Sequence, residues 1–219
     1  MSVETRLEAL QRLVSPQRLE GYLRRSPSLE AAFQLYEWNI RASAEALALT
    51  AMIEVLVRNA MDAALLRWAQ DRGHSDWFDS APLDGRARDD IIESRRRAAR
   101  THVERDQVRP ISNLSFGFWR YLTANRYLLT LWIPSLQFAF SNSDLTALHR
   151  QMRVHSCLQQ LVYLRNRAAH HEPIHSRDLL RDNQIAIDLA AMIDPVAGEW
   201  VARRSAIPAV MAAKPRFES

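Results

Sequence analysis

Apolar residues recur along this chain at intervals of three and four, the period of an amphipathic helix. Runs of Val, Ile and Thr joined by Asn-Gly or Asp-Gly turns are absent, while Ala, Leu, Arg and Glu dominate. The pattern predicts an all-α protein. Residues 3 to 14 read as a short helix. Ser15-Pro16 opens a second, with Ser as N-cap and Pro at the first helical position, and Ser26-Pro27-Ser28 breaks it. A long helix then runs from 29 to about 70 without Pro or Gly. Its polar residues Thr50, Glu54, Arg58 and Asp62 recur every fourth position and form one narrow strip, which predicts a helix central in a bundle.

Residues 71 to 85 read as a loop, punctuated by Gly73, Pro82 and Asp84-Gly85. An Arg-rich helix over 86 to 105 follows and stops at Pro110. The aromatic stretch from 113 to 140 is broken into short helices by Gly117 and Pro134. Asp144 is a candidate cap for a helix reaching about His171, ended by Glu172-Pro173 because the residue before proline resists the helical region. Ser176 is a candidate cap for a helix over 177 to 193, and Asp194-Pro195 starts a last one to about 204. These elements predict a single domain over 1 to 205, with its core in about 29 to 180 and a flexible C-terminal tail over 206 to 219.

The segment from 144 to 171 carries the chemistry. Leu148, Met152, His155, Leu158, Leu161 and Val162 mark an apolar stripe, and the same register continues to Arg165 and Ala169. Asn166 and His170, four apart, stack on an adjoining face. An Arg, an Asn and a His at the end of an apolar helix need partners or a use, since such groups are costly to bury alone. One reading is a cap, because Arg and His near a helix C-terminus complement its dipole. The other is catalysis. RNA is cleaved without metal when a 2′-hydroxyl loses a proton and attacks the adjacent phosphate, the 5′-oxygen leaves with a proton, and a 2′,3′-cyclic phosphate remains. Histidine supplies proton transfer near neutral pH. Arginine supplies fixed positive charge for the phosphorane, and an amide can orient the reactants.

Composition adds limits. Of 29 basic residues, 28 are arginine and one is lysine, Lys214, and the net charge is +4. Arginine suits phosphate contacts, which fits a polyanionic partner; a genome rich in arginine codons gives the same excess. The single cysteine, Cys157, excludes an internal disulfide and reads as core filler, and no Cys/His array suggests zinc. No metal or cofactor is expected. The N-terminus is charged and amphipathic rather than a signal peptide, and the most apolar run, 128 to 140, contains Pro134 and is too short to span a bilayer. A soluble, cytoplasmic protein without membrane contact is expected.

Three blocks carry a resemblance. The phrase from Leu164 to Ile174, LRNRAAHHEPI, resembles the signature of Abi-like (abortive infection) proteins of the HEPN superfamily. LSFGFW from Leu114 to Trp119 and IEVLVRNA from Ile53 to Ala60 resemble its companion blocks, and the likeness spans roughly residues 29 to 180. The resemblance implies an HEPN-like helical bundle with additional short helices. It implies a homodimer with paired Arg-x4-6-His motifs at its cleft, and a metal-independent endoribonuclease used as an antiphage effector or toxin, with RNA as substrate and an antitoxin or regulatory protein as a partner. Arg165, Asn166 and His170 match the motif's Arg, polar and His positions; His171 fits the looser spacing. Glu54, Arg58 and Asn59 match the early block as site-lining candidates, although an i, i+4 ionic strip that fixes the helix explains them too. The rival implication is a non-catalytic HEPN-like module that binds RNA, nucleotide or a partner protein.

Arg95, Arg96, Arg97 and Arg100 are candidate RNA contacts or simply a solvated face. Trp119, Tyr121, Tyr127 and Trp132 could stack bases, but their Leu and Ile neighbours read as core. Asp76, Asp79, Asp89 and Asp90 are too scattered for a metal. A DNA-binding regulator is disfavoured because no helix-turn-helix with a basic recognition helix is visible.

Overall fold

The computed structural model describes residues 3–101 and 110–217. The chain is all-α, and among the described residues there is no strand. It falls into two compact units. The first holds residues up to Leu49, Leu164–Asn183 and the segment from Ser205; the second holds Thr50–Tyr163 and Gln184–Arg204.

The first unit begins with α1 (Val3–Val14) and α2 (Pro16–Leu23). Ser15 caps α2 as its sequence predicts: its hydroxyl accepts from the Arg18 amide at 3.3 Å, with Pro16 in the first turn. α3 (Leu29–Gln70) contributes its first half here. Leu35, Trp38, Asn39, Ala42, Ala46 and Leu49 are buried along it, following the helical period. The buried indole of Trp38 donates to the carbonyl of Val210 at 2.7 Å. The segment expected to be a flexible tail therefore carries a short helix, α10 (Ile207–Ala212), with Ile207 buried. The sequence hides this contact because its acceptor is a backbone carbonyl.

The second unit takes the rest of α3, then α4 (Trp77–Ser80), α5 (Gly85–Thr101), α6 (Phe116–Leu122), most of α7 (Ala147–Ala169), most of α8 (Leu179–Ile193) and α9 (Pro195–Arg204). The short α4 lies inside the expected loop, capped by Asp76, whose carboxylate accepts from the Phe78 amide at 3.0 Å. Trp77, Phe78, Phe118 and Trp119 pack into one cluster with centroids 4.3 to 6.4 Å apart. The Trp77 indole donates to buried Asp62 at 2.8 Å, so this member of the polar strip is a core acceptor. Tyr121, Tyr127 and Trp132 are also buried. Residues 102–105 of the expected Arg-rich helix lie outside the described residues.

Helix α7 differs in register from its sequence reading. Gln151, Val154, Cys157, Leu158, Leu161, Leu164 and Ala168 are buried, whereas Leu148 and Met152 are exposed. The polar amide of Gln151 faces inward because it donates to the carbonyl of Thr123 at 2.7 Å. That bond offsets its desolvation.

Candidate functional site

Leu164 and Ala168, one turn apart and buried, seat the end of α7 within the first unit. The same turns leave Arg165, Asn166 and His170 exposed. Arg165 Nη1 donates to Asn166 Oδ1 at 3.3 Å. No carboxylate pairs with Arg165, and the His170 ring makes no hydrogen bond, among the described residues.

The helix stops by a Schellman closure. The Glu172 amide donates to the Arg167 carbonyl at 2.8 Å and the His171 amide to the Ala168 carbonyl at 3.1 Å. His171 occupies the left-handed position of this motif, with φ 56°, where glycine is usual. Arg167 secures the closure from the half-buried side: Nη2 donates to the Pro173 carbonyl at 2.6 Å and Nε lies 3.6 Å from Glu172. His171 thus has a backbone role as a cap, while His170, one residue earlier, has no side-chain role in the closure.

Two further residues fix this end. Asn39, 3% exposed, accepts the Ile174 amide on Oδ1 at 2.8 Å. Arg18 Nη2 donates to the His171 carbonyl. Ser15 and His171 are the non-glycine residues with positive φ among the described residues, and both are held by Arg18, one through its amide and the other through its guanidinium. Strained backbone of this kind persists where its surroundings determine it, often at functional sites.

Beside the closure lies a cavity of about 500 Å³ lined by Arg18, Tyr36, Asn39, Ser43 and His171, with Ile40, Ala44, Leu47 and Ala168 as apolar wall. The volume is in the range of small-molecule pockets. The buried hydroxyl of Ser43 has no hydrogen-bond partner among the described residues. Sequence reasoning missed Arg18, Asn39 and Ser43. The available signal was a polar residue, Asn39, interrupting the buried face of α3.

The other candidates lie in the second unit. Glu54 and Arg58 are half-buried and Asn59 is exposed; the Arg58 Nε is buried without a partner among the described residues. Arg95 forms a bidentate pair with Asp79 at 3.0 and 2.8 Å and lies over the Phe78 ring. Arg96 and Arg97 lie 3.9 and 3.2 Å from Glu93. The cluster is therefore partly neutralised, and the Arg100 side chain lies outside the described residues. His155 Nδ1 is 2.9 Å from Thr123 Oγ1, and burial lowers its titration. Burial pushes the Cys157 thiol up, away from a reactive thiolate. Among the described residues, no three His, Cys, Asp or Glu side chains gather as a metal site, and no helix is long and apolar enough to cross a membrane.

No family model, no curated protein and no solved structure matches this chain.

Proposed function

We propose that this chain is a metal-independent endoribonuclease of the Abi-like, HEPN type, acting in the cytoplasm as an antiphage abortive-infection effector or toxin. His170 transfers a proton, Arg165 holds the phosphate and Asn166 orients it. One copy offers one such histidine, so two copies paired about a two-fold axis supply acid and base together. Glu54, Arg58 and Asn59 join the reading as site-lining residues and Arg95, Arg96, Arg97 and Arg100 as RNA contacts. An antitoxin or regulatory protein is its expected partner.

One observation carries the reading: Arg165, Asn166 and His170 are exposed within one and a half turns, and among the described residues neither the guanidinium nor the His170 ring is committed to a carboxylate. Unneutralised charge at a helix end is available to a phosphodiester. The resemblance of the three sequence blocks supplies the rest. His170→Ala should abolish cleavage of RNA to 2′,3′-cyclic phosphate ends while the dimer persists, and EDTA should leave the parent's activity intact. Undiminished cutting by His170→Ala, or chelated activity restored by a divalent ion, would sink the mechanism.

A second reading, a non-catalytic module for nucleotide, RNA or a partner protein, is favoured by the cavity beside His171. It predicts a stable complex with no cleavage at any protein concentration, and sensitivity to Ser43→Val rather than to His170→Ala.

A further inference from the structure

A second, smaller cavity of about 160 Å³ lies in the first unit, lined by Arg25, Leu35, His175, Lys214, Pro215 and Phe217. Its three basic residues come from separate segments: the turn after α2, the loop between α7 and α8, and the strand of chain after α10. Among the described residues, no carboxylate lines it. Glu20 pairs with Arg24, Glu172 with Arg167 and Asp182 with Arg177.

His175 is 6% exposed, and its ring nitrogens have no hydrogen-bond partner among the described residues. Its ring packs against Tyr22 with centroids 4.8 Å apart. The Tyr22 hydroxyl is itself buried without a partner among the described residues. Lys214, the only lysine of the chain, donates from Nζ to the His175 carbonyl at 2.6 Å and sits 5.0 Å from the Trp38 ring centroid. That bond leaves two ammonium donors. Three basic groups converge on this cavity with no carboxylate partner among the described residues, which favours an anion there.

We propose that this cavity is a binding site for a phosphate group, held by Arg25, Lys214 and His175. The volume is below the usual range for whole organic ligands, which suits an oxyanion or a terminal phosphate and excludes an enclosed nucleoside. Titration agrees with the geometry. Burial, then Arg25, Lys214 and Arg167, hold the His175 imidazole below its ordinary value; burial and then Arg25 lower the Lys214 ammonium. A bound dianion opposes both effects. The site is independent of the motif on α7.

The test uses the full chain in phosphate-free buffer, titrated with inorganic phosphate, with the His175 imidazole followed by NMR. Saturable binding in the millimolar range or tighter is expected, with a rise of the His175 pKa in the bound form. Lys214→Gln and Arg25→Gln should each weaken binding by about tenfold or more, and Lys214→Arg should recover part of it. Circular dichroism and Tm establish that each variant is folded. A parallel arm compares a 5′-phosphorylated oligoribonucleotide with its 5′-hydroxyl form. Preference for the phosphorylated oligomer over inorganic phosphate assigns the site to a nucleic-acid end; binding of inorganic phosphate alone assigns it to the free ion. The proposal is overturned if chloride at equal ionic strength moves His175 as much as phosphate does, or if folded Lys214→Gln binds phosphate as tightly as the parent.

Discussion

Arg18 donates from its guanidinium to the carbonyl of His171, the residue that turns the chain out of α7 in a left-handed conformation. The last histidine of the Arg-Asn-x-x-x-His-His phrase is therefore part of a helix closure, tied to a side chain 153 positions away. A non-glycine residue at such a position costs about 1 kcal/mol relative to glycine. His171→Gly should therefore keep stability or raise it by up to about 1 kcal/mol, measured by urea denaturation. The same variant separates the two histidines. If His170 carries proton transfer, His171→Gly retains RNA cleavage; loss of cleavage with unchanged stability would move the catalytic assignment to His171.

Asn39 makes a comparable long-range tie. Its Oδ1 is the acceptor for the amide of Ile174, and both residues are buried. Asn39→Ala leaves that N–H without a partner and should cost about 1–3 kcal/mol. The denaturant midpoint should fall without a change in slope. Hydrogen exchange at Ile174 should accelerate more than at amides of α1. Equal protection of Ile174 in variant and parent would show that another group accepts this bond.

The helix boundaries were the legible part of the sequence, because caps and breakers act locally. Ser15-Pro16 starts α2, Asp194 caps α9 by accepting the Val196 amide at 2.8 Å, and α3 ends at Gln70. Near-neighbour choices between caps were harder. Thr146, rather than Asp144, accepts the His149 amide at 3.4 Å, and Asp178, rather than Ser176, accepts the Arg181 amide at 3.0 Å. The register of α7 was misread because apolar residues occur on several of its faces, and inward Gln151 depends on a distant carbonyl. The motif residues Arg165, Asn166 and His170 were legible as a spacing. Their surroundings were not, since Arg18, Asn39 and Ser43 reach this end of the helix only through the fold.

Asp84 gives a pH-dependent test in the second unit. Its carboxylate accepts from the Tyr121 hydroxyl at 2.6 Å, the Ala87 amide at 3.0 Å and Arg126 Nη1 at 2.8 Å. These bonds, the Tyr121 hydroxyl first, hold its carboxyl well below the ordinary 3.8. A depressed acid stabilises the fold above its unfolded pKa, and the contribution is lost as pH falls through the folded value. Asp84→Asn should therefore lower stability at neutral pH and flatten the loss of stability below about pH 4. Denaturation midpoints of the two proteins should converge on acidification. Parallel curves would mean that Asp84 does not contribute to the acid transition.

Gly198 marks a close approach on α9 that its sequence position inside a helix only hints at. It is buried, and a Cβ added there would lie 2.7 Å from the Cβ of Ala191 on α8, with the Ala191 Cα and N at 3.1 and 3.2 Å. The obstructing atoms are a methyl fixed to the backbone and the backbone itself, so no side-chain rotation can make room. Gly198→Ala gains helix propensity of about 1 kcal/mol, but overpacking of a close contact costs about 1–3 kcal/mol. The clash should win, and Tm should fall by a few degrees. Ala191→Gly removes the first obstruction, so the double variant Ala191→Gly, Gly198→Ala should be more stable than the sum of the two single changes predicts. Additive losses, or a Gly198→Ala protein more stable than its parent, would show that α8 and α9 can part without cost at this point.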